Sequence, residues 1–355
     1  APHLTFRSFT LTPVVVPVPR PLVTKVVTVG RAPLLLIDLE TEEGVTGRAY
    51  LFGYLPEGPS FILPVLRAIE ARVKGQPLAP ARQFDSLTRA LGLMGHEGIA
   101  AVAIAGYDMA AWDALARAAD QPLARFLGGT ADPIRAYNSN GLGIIEAGAA
   151  AEEAVALLAE GGFDMVKARA GRDRLADDLE VLRAIRAAVG DDVHLPVDFN
   201  QSLDLAEAKR RGHAFDDEGI YWIEEPLVYD DWAGQASLAR DIRTPIQIGE
   251  NFWGPEAMDY VMPDVMRIGG VTGWLRAMAL AEAARMPMSS HLFPEISAHL
   301  MAVTPTRHWL EYMNWADPIL AEPYRVEDGH LVIPDRPGVG LDWDPDAVAR
   351  WRVEL

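Results

Sequence analysis

The chain has 355 residues, half of them hydrophobic, a formal net charge of −18 and no cysteine. That length supports a large core and more than one domain. The charge argues against nucleic acid and anionic membrane surfaces as partners, though not against small anions held in a local cationic pocket, and the missing cysteine removes disulfide and thiolate chemistry.

Thr5 to Val16 and Leu34 to Glu40 read as strands, with Pro13, Pro17, Pro19 and Pro21 breaking the stretch between them. Gly44-Val45-Thr46-Gly47 is a turn before a strand from Arg48 to Phe52. Pro59 to Gly75, Ala81 to Leu93 and Gly98 to Ala119 read as helices. The last is the most apolar window; Asp108 and Asp113 interrupt it, so it reads as an amphipathic helix and no membrane span is expected. Strands followed by helices suggest an α+β domain. No charged-then-apolar signal pattern opens the chain, so the expected compartment is the cytoplasm.

From about Ile134 the rhythm becomes strand, loop, helix. Apolar runs end at Ser139, Arg169, Asp198, Glu224, Glu250, Asp264, His291 and Glu311. Eight strand ends with helices between most of them suggest a parallel barrel, whose chemistry sits at the C-terminal ends of its strands. In Asp164 to Arg169, alternation points Lys167 and Arg169 the same way, towards an anion or a set of carboxylates.

Asp198, Glu224 and Glu250 are 26 residues apart in each step (198 to 224 and 224 to 250). On successive strands they converge, and three bare carboxylates repel. A hard divalent cation relieves that, and oxygen ligands suit Mg²⁺. Glu225 is expected to point away from Glu224, as an acid that supports the ligands from behind or as a structural acid, and Pro226 to end the strand. Asp264 and His291 end neighbouring strands, so the carboxylate is expected on a ring nitrogen, raising the imidazole pKa for acid/base work. Glu311, beside a bound anion and the metal carboxylates, is expected to lean towards protonation.

Stretches across nearly the whole chain strengthen the reading. They include Thr28-Val29-Gly30, Ala32-Pro33-Leu34, Gly106-Tyr107-Asp108-Met109-Ala110 and Val197-Asp198-Phe199-Asn200. Further on come Trp222-Ile223-Glu224-Glu225-Pro226, Ile268-Gly269-Gly270-Val271-Thr272-Gly273-Trp274, Met288 to Leu300 and His308-Trp309-Leu310-Glu311. Together they resemble the enolase superfamily, and within it the mandelate racemase subgroup. The resemblance implies an α/β fold: a (β/α)7β barrel of TIM type with an α+β N-terminal capping domain that the C-terminal tail completes. The expected divisions are 1–125, 126–317 and 318–355.

The resemblance also implies roles. Asp198, Glu224 and Glu250 hold Mg²⁺, and His291 with Asp264 is the acid/base on one substrate face. Lys167 neutralises the substrate carboxylate, Glu311 hydrogen-bonds it, and Ser139 and Asn200 contact the carboxylate and hydroxyl. Leu22, Val29, Phe52, Tyr54, Leu292 and Met313 match the apolar ring pocket. Arg20 and Lys25 lie in the lid loop, where they are expected to admit a more polar or dianionic substrate. The implied reaction is abstraction of the α-proton of a 2-hydroxy carboxylate through an enediolate, by a homo-oligomeric enzyme with that small molecule as its partner.

Two departures stand out. Arg169 occupies the seat of the second lysine of a Lys-X-Lys pair, and a guanidinium is a poor base. Glu250 and Asp264 are 14 residues apart, short for a barrel unit, so residues missing from this interval are expected. The leading expectation is a racemase. The alternatives are an acid-sugar dehydratase using the His291–Asp264 dyad, and a non-catalytic metal and ligand binder.

Overall fold

A meander of three antiparallel strands opens the chain: β1 (Phe6–Val23), β2 (Thr28–Thr41) and β3 (Thr46–Phe52), in that spatial order. The computed structural model describes residues 3–95, 97–251 and 258–355. Contrary to expectation, β1 runs through its four prolines, with a register shift between Pro17 and Leu22. The reason is its place at the sheet edge, with β2 on one side only. Pro13 O accepts from Val353 N, so the backbone polar groups of Pro13 face away from β2. Pro17, four residues on, faces the same way. A proline there removes no ladder hydrogen bond.

Helices α1 (Gly58–Val73), α2 (Pro80–Leu91) and α3 (Ile99–Ala118) complete this unit. The first two start on prolines in their first turn, where no intrahelical N–H is needed. The amphipathic reading of α3 is corrected: Asp108 and Asp113 are both buried. Asp108 accepts from Thr272 N and Oγ1 at 2.8 and 2.6 Å. Asp113 accepts from Arg48 N at 2.7 Å, Arg117 Nε at 2.6 Å and Val339 N at 2.5 Å. Each aspartate reaches a different part of the protein, so α3 is packed on most sides. It is long and apolar enough to cross a membrane, yet it serves as the core helix of the cap.

After a short helix α4 (Leu123–Phe126), the alternating part begins. In order come β4 (Ile134–Asn138), α5 (Ala147–Ala159), β5 (Ala168–Arg169), α6 (Leu175–Val189), β6 (Val197–Asp198) and α7 (Leu205–Phe215). Then follow β7 (Ile223–Glu224), α8 (Trp232–Asp241), β8 (Ile246–Ile248), β9 (Tyr260–Val261), α9 (Gly270–Ala284), α10 (Pro294–Ala302) and β10 (Leu310–Tyr312). Strands β5 to β9 form one parallel sheet in sequence order, and β10 pairs in parallel with β4. Parallel bridges Asn138–Val166, Val261–Met288, Asp264–His291 and Met288–Arg307 link the two groups. The segment 288–291 is thereby the remaining stave of a closed barrel. The expectation of missing residues between Glu250 and Asp264 falls largely on 252–257, outside the described residues. On either side of them β8 and β9 are parallel neighbours, with Gln247 opposite Tyr260.

The tail divides between two partners, where all of it was expected on the cap. The hairpin β11 (Arg325–Glu327) and β12 (His330–Val332) joins the barrel strand β4, with His330 opposite Arg135 and Leu331 opposite Ile134. On the side of β4 away from β10, the bridge to the next stave starts only at Asn138, so the start of β4 has free backbone groups there for β12 to meet. Beyond it, α11 (Pro345–Trp351) and its flanks return to the cap. Arg352 bridges Val14, Trp343 Nε1 donates to Asp38 at 3.0 Å and Arg48 pairs with Asp342.

One buried imidazole ties these parts together. His299 on α10 accepts from Ala124 N through Nδ1 at 3.0 Å, and its Nε2 meets Tyr324 Oη at 2.9 Å. Tyr324 Oη in turn donates to Val339 O. Burial pushes the His299 pKa from 6.5 down to about 4. Between those values the unfolded chain binds a proton that the folded chain refuses, so stability falls as pH drops through this window. The contribution is roughly 3 kcal/mol. Urea unfolding between pH 4 and 7 is expected to show a shallower pH dependence in His299→Gln than in the parent, and an unchanged slope removes His299 from this role.

Candidate active site

The site grows from the register of the parallel strands. Arg169 stands beside Asp198, Asp198 beside Glu224 and Glu224 beside Gln247. Glu250 follows one residue after Gly249, whose φ of 130° turns the chain as β8 ends.

Lys167 and Arg169 are both buried among these carboxylates, on one side of their stave. Lys167 Nζ bonds Glu224 Oε1, bonds Glu311 Oε1 at 2.8 Å and lies 3.6 Å from Asp198 Oδ2. Burial opposes its charge, but Glu224, Glu311 and Asp198 together outweigh burial and raise its pKa. Arg169 is tied to backbone. Its Nη1 donates to Ser139 O at 2.8 Å, Gly141 O at 3.2 Å and Lys167 O at 3.3 Å, and its Nη2 donates to Ser139 Oγ at 3.0 Å. Among the described residues its buried Nε has no hydrogen-bond partner, and it lies 4.0 Å from Asp198 Oδ2.

The expected contact between His291 and Asp264 forms. His291 Nδ1 is 2.8 Å from Asp264 Oδ2, while Asp264 Oδ1 accepts from Met266 N at 2.7 Å. His291 Nε2 lies 3.1 Å from Glu250 Oε2 and 3.9 Å from Glu311 Oε2. Burial works against the imidazolium, but Glu250, Asp264 and Glu311 raise the His291 pKa well above its usual range.

Three expectations are corrected here. Glu311 is held ionised. Burial would raise its pKa, but Lys167 and His291 overcome that and hold it well below the usual range. Its oxygens accept from Ser139 Oγ at 2.8 Å, Lys167 Nζ, and Leu292 N at 2.8 Å. Glu225 does not leave the site: its φ of 39° breaks strand alternation. Its carboxylate accepts from Gln201 Nε2 at 2.6 Å, and burial, with Glu250 and Asp198 nearby, pushes its pKa well up. The lid cations face protein carboxylates. Arg20 lies 2.5 Å from Glu160 and 3.5 Å from Glu153 on α5, and Lys25 lies 2.5 Å from Asp173.

The expected apolar set divides. Leu22 faces Val29 across β1 and β2. Phe52 packs on Tyr54, with ring centroids 4.4 Å apart, and on Trp315 at 5.2 Å. Leu292 and Met313 are buried. Leu292 and Phe293 both take left-handed φ of 49°, strain held in place beside His291. A cavity of about 690 Å³ lies beyond Tyr54, between α1 to α3 and α9, and it is lined by neither His291 nor Glu224. Arg267 stands at its wall, donating to Tyr54 Oη at 3.3 Å and lying 3.8 Å from Glu250.

Comparison with known proteins places this geometry. Residues 149–347 match the family model described as enolase C-terminal domain-like. Residues 8–128 match that of the mandelate racemase/muconate lactonizing enzyme N-terminal domain. The chain belongs to the enolase superfamily, in its mandelate racemase subgroup. A solved enolase from alpha pretobacterium bal199 with bound magnesium is 51% identical, covering 99% of this chain and 100% of that one, with a TM-score of 0.96. A solved enolase from Bradyrhizobium, complexed with magnesium and mandelic acid, is 39% identical over 99% of each chain, with a TM-score of 0.94. The L-talarate/galactarate dehydratase of Salmonella typhimurium is 31% identical over 90% of this chain and 82% of its own length.

The superfamily barrel with its N-terminal cap is therefore the fold, and magnesium is the cofactor. The side chains suit a hard cation. Asp198, Glu224, Glu225 and Glu250 offer oxygen donors at neighbouring strand ends, and among the described residues the buried Asn200 Oδ1 has no partner while Asn200 Nδ2 donates to Asp198 at 3.0 Å. Glu224 is pushed up to about 7 by burial, with Asp198 and Glu311 adding to it against Lys167. Among the described residues no three carboxylates or imidazoles form a ready metal cluster. Glu224 pairs with Lys167 and Glu250 with His291.

Sequence reasoning missed several residues around the site. Gln247, in the otherwise apolar run of β8, and Ser289 are fully buried. A polar residue inside an apolar strand is the signal for the first. Nothing local marks the inward turn of Glu225 or the place of Trp315, because a left-handed backbone and a contact across domains decide them.

Proposed function

We propose that this enolase-superfamily enzyme dehydrates an acid sugar, taking the α-proton and expelling the β-hydroxyl of a 2-hydroxy carboxylate. The observation that carries this is the setting of Arg169. A racemase needs a base on each face of the substrate. Here one of those seats holds a guanidinium that donates to three backbone carbonyls and a serine hydroxyl. It has donors only. A single acid/base group suffices for dehydration, and His291 with Asp264 supplies it. The dehydratase relative supports the same reading.

In this reading Asp198, Glu224 and Glu250 hold Mg²⁺, which supplies positive charge to offset the enediolate. Lys167 binds the substrate carboxylate and Glu311, which accepts from Lys167 Nζ, holds that lysine in place, with Ser139 and Asn200 beside them. In its neutral form His291 receives the α-proton on Nε2, opposite the Asp264 contact, and returns a proton to the departing β-hydroxyl. Water leaves, and the enol becomes a 2-keto-3-deoxy acid. Asp264 fixes the ring and its tautomer.

Racemisation of an aryl 2-hydroxy acid is the second reading. The buried Phe52, Leu292 and Met313 and the solved mandelic acid complex of a relative favour it.

Incubation with Mg²⁺ in D₂O against a panel of aldonic, aldaric and aryl 2-hydroxy acids separates the two by NMR. The expected result is a 2-keto-3-deoxy product with deuterium incorporated at one face only. Inversion of configuration at the α-carbon would overturn the one-base reading. Arg169→Lys is expected to add exchange at the second face, detectable in the same spectra.

A further inference from the structure

The carboxylate of Glu224 is held from two sides. Oε1 meets Lys167, whereas Oε2 accepts from Trp222 Nε1 at 3.1 Å and from Gln247 Nε2 at 3.4 Å. The second of these contacts is the end of a longer chain through the barrel interior. Gln247 Oε1 accepts from Ser289 Oγ at 3.1 Å. Ser289 Oγ lies 3.4 Å from His308 Nδ1, and His308 Nε2 lies 3.1 Å from Tyr221 Oη. Ser289 and Gln247 are fully buried, and His308 sits among the rings of Tyr221, Trp222, Tyr260 and Trp309.

The donors agree in direction. With a metal ion on it Glu224 is ionised and can only accept, so the Gln247 amide must turn its NH₂ towards it. The amide oxygen then faces Ser289, whose hydroxyl must donate. That leaves Ser289 Oγ as the acceptor from His308 Nδ1–H, and His308 Nε2 as the acceptor from Tyr221 Oη–H. Each assignment forces the next, and the neutral tautomer of His308 is fixed. Burial pushes the His308 pKa down to about 4, which keeps the ring in that neutral form. The chain joins four sequence-distant staves: 221–224, β8, 288–291 and 307–310.

We infer that Gln247, Ser289 and His308 are positioning residues for the metal site: a one-directional hydrogen-bond chain from the barrel interior orients Glu224 Oε2 and so sets Mg²⁺ affinity. The inference rests on the reading of Glu224 as a metal ligand. Groups behind a ligand commonly govern metal affinity by 10- to 100-fold, in order of magnitude. None of the three touches the proposed substrate groups, so their effect reaches the chemistry only through Glu224.

The test is calorimetric titration of the full-length protein with Mg²⁺ alone, alongside its thermal midpoint. Ser289→Ala is expected to weaken Mg²⁺ binding by about 10-fold. His308→Leu should weaken it too, whereas His308→Gln, which keeps one donor and one acceptor, should restore most of the affinity. In a Glu224→Gln background, Ser289→Ala should add nothing. If Ser289→Ala does not fold, the two His308 variants decide the matter. Loss of affinity with Glu224→Gln but none with Ser289→Ala or His308→Leu would overturn the chain and leave the ligand reading standing. An undiminished affinity in Glu224→Gln would overturn both. Equal losses from Ser289→Ala in both backgrounds would mean that the serine acts through packing, and that also ends the proposal.

Discussion

His291→Asn should stop α-proton exchange and product formation while Mg²⁺ still binds. The imidazole is the one proton acceptor in the site held by a dedicated carboxylate, with Asp264 Oδ2 2.8 Å from Nδ1. General acid–base groups contribute on the order of 10²- to 10⁴-fold, and here one ring serves both steps of the proposed reaction, so the upper part of that range is expected. The substitution keeps Asp198, Glu224 and Glu250 and removes only the imidazole that pairs with Glu250, which is why calorimetry should still detect the metal. Turnover at the parent rate would remove His291 from its role. Turnover and metal binding lost together would point to a collapsed site.

The second large effect is on stability. Lys167 is the buried cation between Glu224, Glu311 and Asp198. Lys167→Met keeps much of the volume and removes the charge. Breaking a buried ion pair from one side costs about 3–5 kcal/mol, because the partner is left charged and unpaired. Urea unfolding of the Mg²⁺-free protein should show a loss of that size. The same variant should lose activity, since the substrate carboxylate would then face three carboxylates with no lysine between. A stability change no larger than an ordinary surface substitution would show that the carboxylates can redistribute their protons without Lys167.

Much of this site is legible in one dimension because a parallel barrel repeats. A strand that ends in a polar residue presents that residue at the same rim in every unit. The 26-residue step from Asp198 to Glu224 therefore translates directly into neighbours in space, and Asp264 with His291 follows the same rule, whereas Glu250 lies three residues beyond the Gln247 that pairs with Glu224. Prolines on β1 misled for a different reason. Their cost depends on whether the missing N–H faced a partner strand, and that is a property of the sheet edge.

What pairs with what across the barrel is not written locally. Glu311 lies 144 residues from the lysine that ionises it. Arg20 and Lys25 look like free cations in a lid until Glu153, Glu160 and Asp173 arrive from the barrel side. Glu225 looks as if it should turn outwards until its backbone adopts φ 39°.

By itself the sequence determined the class of fold, the row of strand-end carboxylates and the histidine–aspartate dyad, because periodic burial and register are local consequences of residue order. Only the tertiary structure decided the charge states of Glu311 and His291, the inward turn of Glu225, the anchoring of Arg169 on backbone carbonyls and the chain from His308 to Glu224. Each of these depends on electrostatic and hydrogen-bond partners that closure of the barrel brings together from distant parts of the chain.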